Sequence, residues 1–426
     1  MNSLGFRRVV LAVPFFIFLC AALPYASAEE VLTWQDCIKE AARNHPDLIS
    51  ASEAVKEKEA AKKISASGEY PQVDASLSGT TSKTSGNSST KKYSTALNAS
   101  QLLFDGKKTI NNVKAAGENI RAAKYNFRYT SSSVRQELRT AFVNLLKAQE
   151  MTRIAREIYE IRRGNYELIS LRYQSGLEHK GALLTAEANL ALAQYNINSA
   201  AHDLVVAKRN LVKSLGRGKF ADFKVEGDFT VKDNARGQID LESLAANNPQ
   251  VLKLTAQKNS AEFSLRAAYG DFLPSFSVNA GAGKTGNKFL PDDSEKSAGF
   301  SLSVPIFEGG LRSAQIAQAE ASLNQLKENE RSAKDSVIAS LEQYRASLLE
   351  AIDNVEVQNK TLEADQERSK IAEAQYSIGS ISFDNWTIIE DNLVSAKRTY
   401  SNAQADALLA EANWIQAKGE VLEYEQ

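Results

Sequence analysis

Few residues in this chain have the types and spacing to make or break bonds. The three histidines, His45, His179 and His202, stand far apart, with no cysteine or carboxylate at the spacing of a metal site. Asp292 and Asp293 are adjacent acids, but they fall in a polar stretch with nothing arranged for acid–base work. No nucleophile elbow, phosphate-binding loop or dinucleotide fingerprint occurs, so neither an enzyme nor a cofactor is expected. What remains is electrostatic. Asp384 and Asp391 are seven residues apart, which puts them on one face of a helix. Glu178, His179 and Lys180 form a second charged group at a turn.

The elements that must position these groups are written twice. Shifted by 203 residues, the sequence lies on itself without a gap. Asn44-His45-Pro46 falls on Asn247-Asn248-Pro249, Pro71 on Pro274, Phe104-Asp105-Gly106 on Phe307-Glu308-Gly309, and Gly216 on Gly419. Tyr173 and Gly176 fall on Tyr376 and Gly379. Shared helical composition explains matched Ala and Leu; it does not explain Pro and Gly at constant offset. The first repeat is expected over 29–216 and the second over 237–426, with 217–236 as a linker.

Within each repeat a short helix ends at the Asn-x-Pro step and a second follows, 47–67 or 250–270. Then come two strands, expected at about 72–82 and 94–104 in the first repeat and 275–285 and 298–307 in the second. Val73, Ala75 and Leu77 alternate with Asp74, Ser76 and Ser78; Phe300, Leu302, Val304 and Ile306 alternate with Ser301 and Ser303. Pro71 and Pro274 open strands and close the preceding helices, and Phe104, Gly106, Phe307 and Gly309 mark the return from strand to helix. Alternation alone fits soluble hairpins packed on the helices equally well. The long polar loops Thr80–Lys92 and Gly283–Lys296, and strand lengths near the ~9–11 residues that cross a bilayer, favour a membrane reading. Four strands cannot close a barrel, and open edges in lipid leave backbone groups unpaired. Three copies would give twelve strands and no edge.

Proline-free stretches predict long helices at about 107–173 and 310–376, each about 100 Å at ~1.5 Å per residue. Shorter helices return at about 181–215 and 384–418. Their seams, Leu183, Ala186, Leu190, Ala193, Ile197 and onward, and Trp386, Ile389, Leu393, Ala396, Tyr400 and onward, step by three and four, the spacing of coiled-coil packing.

With 51 basic and 52 acidic side chains the chain has a formal charge of −1, which gives no sign of nucleic-acid binding. Residues 1–28 read as a Sec signal peptide: Arg7 and Arg8, an apolar run from Val9 to Leu23, and Ala26-Ser27-Ala28 for cleavage. Ile17-Phe18-Leu19 before Cys20 lacks the small residue of a lipid-attachment site, so no lipoprotein is predicted. Cys37 is then the one thiol of the exported chain.

The stretches "LTWQDCIKEAARNHPDL", "FLPSFSVNAGAG", "VPIFEGGLRSAQIAQAEASL", "VRQELRTAFVNLLKAQ", "YQSGLEHKGALLTAEANL" and "YSIGSISFDNWTIIEDNL", in their duplicated order, resemble the outer membrane efflux protein family, the TolC-like channels. The resemblance covers nearly all of the exported chain. It implies a mainly α fold with a membrane β-barrel portion: a homotrimer in outer-membrane lipid, with a twelve-stranded barrel continued by a twelve-helix periplasmic tunnel. It also implies a periplasmic adaptor and an inner-membrane transporter of RND, ABC or similar type as partners, and the outer membrane of a Gram-negative bacterium as location. The function expected is the exit channel of a tripartite efflux or type I secretion system. The alternatives are a periplasmic coiled-coil adaptor or scaffold, and a surface stalk without channel activity.

By the same resemblance the helix–helix turns close the tunnel entrance. Tyr376, Gly379, Asp384, Asn385 and Asp391 are then gate candidates; Asp384 and Asp391 read either as rings of negative charge that favour cations or as solvated residues of a helix face. Tyr173, Gly176, Glu178, His179 and Lys180 are candidates for the tip that meets the adaptor. The match is incomplete. Ile381 stands where some members have Arg, Asn385 and Ile388 where they have acidic rings, and Ala182 where they have Asp. This entrance is therefore expected to be held by different bonds.

Overall fold

The computed structural model describes residues 30–83, 89–220, 222–231, 236–237 and 239–422. The expected signal peptide, 1–28, lies outside them. The first repeat contains β1 (Glu30–Thr33), α1 (Trp34–Asn44), α2 (Pro46–Ser67), β2 (Gln72–Ser82), β3 (Thr90–Phe104), α3 (Lys108–Gln174) and α4 (Lys180–Leu215). After β4 (Phe223–Glu226) the second contains α5 (Leu241–Asn247), α6 (Pro249–Gly270), β5 (Ser275–Gly286), β6 (Asp293–Ser303), α7 (Leu311–Ser377) and α8 (Phe383–Ala417). Among the described residues no helix is long and apolar enough to cross a membrane.

Local chemistry sets the breaks. Thr33 and Asp36 form a reciprocal capping box that starts α1. Pro46 forces His45 out of helical geometry, and His45 Nδ1 then accepts from the Asp47 amide at 3.3 Å to start α2. Asn248 does the same for α6, accepting from Gln250 at 2.9 Å. Its amide also donates to the Ala417 carbonyl at 2.9 Å, which ties the break to the end of α8.

The long helices α3 and α7 each hold 67 residues, about 100 Å at ~1.5 Å per residue. Helix α4 packs on one half of α3 and α2 on the other; α8 and α6 do the same for α7, and α3 also meets α6 and α8 across the repeats. Midway along this rod sits the largest core, where Cys37, Ile38, Leu138, Phe142, Leu145, Leu211, Leu215 and Phe223 meet. Burial pushes the Cys37 thiol up to about 12, so it stays a protonated, apolar filler.

Three boundary expectations are corrected. The strand placed at 298–307 runs instead over Asp293–Ser303. Pro305 has no N–H for a ladder, while pairing with β5 extends the other way to Thr285↔Asp293. The loops shrink accordingly, because β2 runs to Ser82, β3 starts at Thr90 and β5 continues to Gly286. Polar residues in these stretches still alternate and still pair their backbones, so polarity alone did not mark a loop. Finally, 217–236 is more than a linker. Phe223 and Val225 are buried on one parity, and β4 pairs in parallel with β1.

Both long helices begin after two left-handed residues, Gly106-Lys107 (φ 68° and 67°) and Gly309-Gly310 (φ 62° and 85°). Lys107 is the one non-glycine residue with positive φ among those described. Its left-handed strain is about 1–2 kcal/mol, and glycine's extra unfolded-state entropy returns about 0.4–1 kcal/mol. Lys107→Gly is therefore expected to stabilise the chain by roughly 0.5–1 kcal/mol. Denaturant unfolding checks this; a lower midpoint than the parent contradicts it.

Candidate functional site

The four long strands form one antiparallel sheet in the order β2-β3-β5-β6, so the β3–β5 pairing joins the two repeats. Register aligns the faces. On one side lie Val73, Ala75 and Leu77, then Leu97 and Ala99, then Val278, Ala280 and Ala282, then Ala298 and Phe300. On the other lie Asp74, Ser76 and Ser78, then Ser94, Asn98 and Ser100, then Ser277, Asn279 and Gly281, then Ser297, Gly299 and Ser301. A bulge between Leu102 and Phe104 shifts the register so that Phe104 faces Phe276 on the apolar side. Strands β2 and β6 are edges with unpaired outer backbone.

Pro71 and Pro274 immediately precede β2 and β5, and Phe104 closes β3. Gly106 enters α3 pressed against Gly270. Phe307 and Gly309 lie in the passage from β6 to α7, with Phe307 largely exposed.

At the far end of the rod the two helical hairpins turn. Gly176 (φ 75°) and Gly379 (φ 77°) end α3 and α7 in matching left-handed caps, donating to Tyr173 O and Tyr376 O at 3.0 Å. Tyr376 is buried. Its ring stacks on Trp386 at 4.5 Å between centroids and 10° between planes, with Phe383 edge-on to both. The Arg172 guanidinium sits 4.9 Å from the Tyr376 ring. The Tyr376 hydroxyl donates to Glu178 Oε2 at 2.7 Å, so the second turn is bonded to the first. Burial, with this carboxylate beside it, pushes the phenol well above its usual range. Ile169, Ala182, Ala186 and Ala372 complete the cluster.

The candidate residues therefore separate. Glu178 points inward to Tyr376, whereas Tyr173, Gly176 and Lys180 are exposed. His179 caps α4 by accepting from the Ala182 amide at 3.1 Å. Asp384 and Asn385 are exposed in the first turn of α8. Asp391 is not a free acid: it accepts from the nearly buried Arg162 of α3 at 2.5 Å. Sequence reasoning missed Arg162, Arg172 and Phe383 as tip residues and placed Trp386 only on a seam. Their partners lie in the other repeat or the other helix, which periodicity within one helix does not reveal.

Helices α3 and α8 are further tied by Lys397 to Glu157, Gln136 to Asn413 at 2.9 Å and Arg139 to Glu411 at 3.7 Å, and Arg135 of α3 pairs with Glu420 just beyond α8 at 3.0 Å. The Lys397 hydrogen bond holds Glu157 below the usual carboxylate range, against desolvation, with help from Arg153. This contribution is present above the ordinary carboxylate pKa and is lost as pH falls through the depressed folded value. Glu157→Gln should therefore lower the melting temperature near neutral pH, with the difference from the parent vanishing in strong acid. A pH-independent difference contradicts the tie.

Comparison with known proteins follows the same division into halves. The family model described as outer membrane efflux protein matches twice, over residues 37–217 and 241–420. Outer membrane efflux protein BepC of Brucella suis is 23% identical over 407 residues, covering 93% of this chain and 84% of that protein. A crystal structure of CusC superposes with a TM-score of 0.80 at 21% identity, over 90% of this chain and 91% of CusC. The open state of the MtrE outer membrane channel of Neisseria gonorrhoeae does so with 0.80 at 19%, over 91% and 89%.

Proposed function

The chain belongs to the outer membrane efflux protein family, and on that premise we propose that it is the outer-membrane exit duct of a tripartite efflux or type I secretion system. One observation carries the reading. The sheet is mainly apolar on one face and mainly polar on the other, the exceptions including Leu102 and Ala96 on the polar face and Gln101, Thr95 and lysines on the apolar one, and both of its edges are unpaired. In lipid each unpaired backbone group costs several kcal/mol, so β6 of one copy must pair with β2 of the next. Two copies give eight strands, too tight for a wide bore, while three give twelve. The polar face then lines water and the apolar face meets lipid.

The helices continue this barrel into the periplasm as a tunnel. A periplasmic adaptor and an inner-membrane transporter supply the energy and meet the tunnel tip; this chain contributes a passive conduit and no catalysis. The tip turns form the resting closure, with Tyr376 at its centre, Gly379 as its hinge-side cap, and Asp384 and Asn385 at the opening. Asp391 acts there through its bond to Arg162, linking the two hairpins, rather than as an open ring of charge. Tyr173, Gly176, His179 and Lys180 present the outward surface to the adaptor.

The test is extraction and reconstitution. The protein should partition with outer membranes, purify in detergent as a trimer and conduct ions in a planar bilayer. Recovery as a detergent-free soluble monomer would point to the scaffold reading. A membrane-inserted trimer with no conductance even after tip opening would point to the stalk.

A further inference from the structure

Charge is sorted between the two faces of the sheet. Every carboxylate on the paired strands, Asp74, Asp293 and Glu295, has the parity of the polar face. Lys284 and Lys296 have the opposite parity: Lys284 pairs with Ser294 and Thr95, and Lys296 pairs with Ala282. Lys91, opposite Thr81, shares that face. The apolar face thus carries three exposed lysines per chain and no acid to neutralise them.

Their height is equally specific. From Phe276 to Ala282 the outward residues of β5 are Phe, Val, Ala and Ala, about 20 Å of strand at ~3.3 Å per residue. Lys284 is the next outward residue, at the end away from the helices. Lys296 lies diagonal to it across the β5–β6 pair, about 7–8 Å away. One outward row further, Tyr93 covers Gly79 and makes an edge contact with Phe289 at 5.8 Å between centroids. An aromatic pair above an apolar band marks the membrane–water boundary. Two ammonium groups at that level, diagonal neighbours with no acid on their face, can hold one phosphate between them.

Resting on the membrane reading above, we propose that Lys284 and Lys296 form a binding surface for a phosphate-bearing lipid headgroup of the outer leaflet, repeated in each subunit of the trimer. The acyl chains lie along Ala280, Ala282 and Ala298, and the phosphate bridges the two ammonium groups. Small side chains below the lysines leave room for the chains to approach the strand backbone.

The test uses the whole trimer in phosphatidylcholine nanodiscs doped with bisphosphorylated lipid A. Lipid A retained per trimer is measured by mass spectrometry after mild detergent extraction. The parent should enrich lipid A over phosphatidylcholine. Lys284→Gln/Lys296→Gln should retain about 30-fold less, each single variant an intermediate amount, and the Lys→Arg pair as much as the parent. High salt should reduce retention by the parent. Equal retention by parent and double Gln variant overturns the proposal, as does retention by the parent no greater than for phosphatidylcholine. Bilayer conductance of the same preparations separates the two readings. Channels that conduct with unchanged lipid A retention remove only this inference, whereas a parent that neither inserts nor conducts removes the membrane reading and this surface with it.

Discussion

Trp386→Ala is expected to leave the channel conducting in its resting state. The indole is almost fully buried at the tip, stacked on Tyr376 and edge-on to Phe383, in a cluster that joins both helical turns. Truncating a buried Trp costs about 3–5 kcal/mol through lost burial and the cavity left behind. Removing the Tyr376 hydroxyl costs about 1.5–3 kcal/mol, the value of a hydrogen bond to a charged group. The order of resting conductance should be Trp386→Ala above Tyr376→Phe above parent. Among the described residues of its own chain the indole N–H has no acceptor. Trp386→Phe keeps a ring in the stack and loses no protein hydrogen bond, so it should stay close to the parent. Single-channel recording of detergent-purified trimers reads this directly. An assembled Trp386→Ala trimer as closed as the parent would show that the aromatic cluster does not hold the tip.

Gly216→Val is expected to be among the most destabilising single changes in the rod. Gly216 ends α4 at φ 74°, and a Cβ there would stand 2.4 Å from the Asn44 carbonyl oxygen and 2.7 Å from its carbon. That carbonyl belongs to the last residue of α1, held by the His45–Pro46 break, so the obstacle is backbone and does not swing away. Left-handed strain of about 1–2 kcal/mol and overpacking of about 1–3 kcal/mol sum to roughly 2–5 kcal/mol. Gly419, its counterpart, is confined by the ring of Pro249, whose Cδ would stand 2.4 Å from a Cβ there. Gly218 is the control: a Cβ there meets nothing within 4 Å and its φ is not positive, so Gly218→Val should be nearly neutral. Thermal unfolding of the two variants decides it. Equal melting temperatures for Gly216→Val and Gly218→Val would sink the argument.

These two sites differ in how far they could be read from residue order. Gly216 and Gly419 are legible as repeat-matched glycines behind Asn-x-Pro steps, because a left-handed cap and a forced break are local demands of the backbone. The strand faces are legible too, since a period of two needs no partner to define it. Strand ends were less legible: Pro305 stopped β6 early, and polar residues at the other end paired where a loop was expected. The β1–β4 pair was not legible, because each strand has four residues and its partner lies across the whole first repeat.

Residue order by itself determined the duplication, the long paired helices, the amphipathic strands and the turn glycines, all of which follow from spacing along one chain. Only the tertiary structure decided which charges and rings meet. It drew Asp391 to Arg162, Glu178 to Tyr376 and Trp386 onto the Tyr376 ring, and it set Lys284 diagonal to Lys296 on a face without acids. The physical reason is that a side chain's partner is set by helix rotation and strand register between distant segments, and a change of one residue in either would bring different groups together.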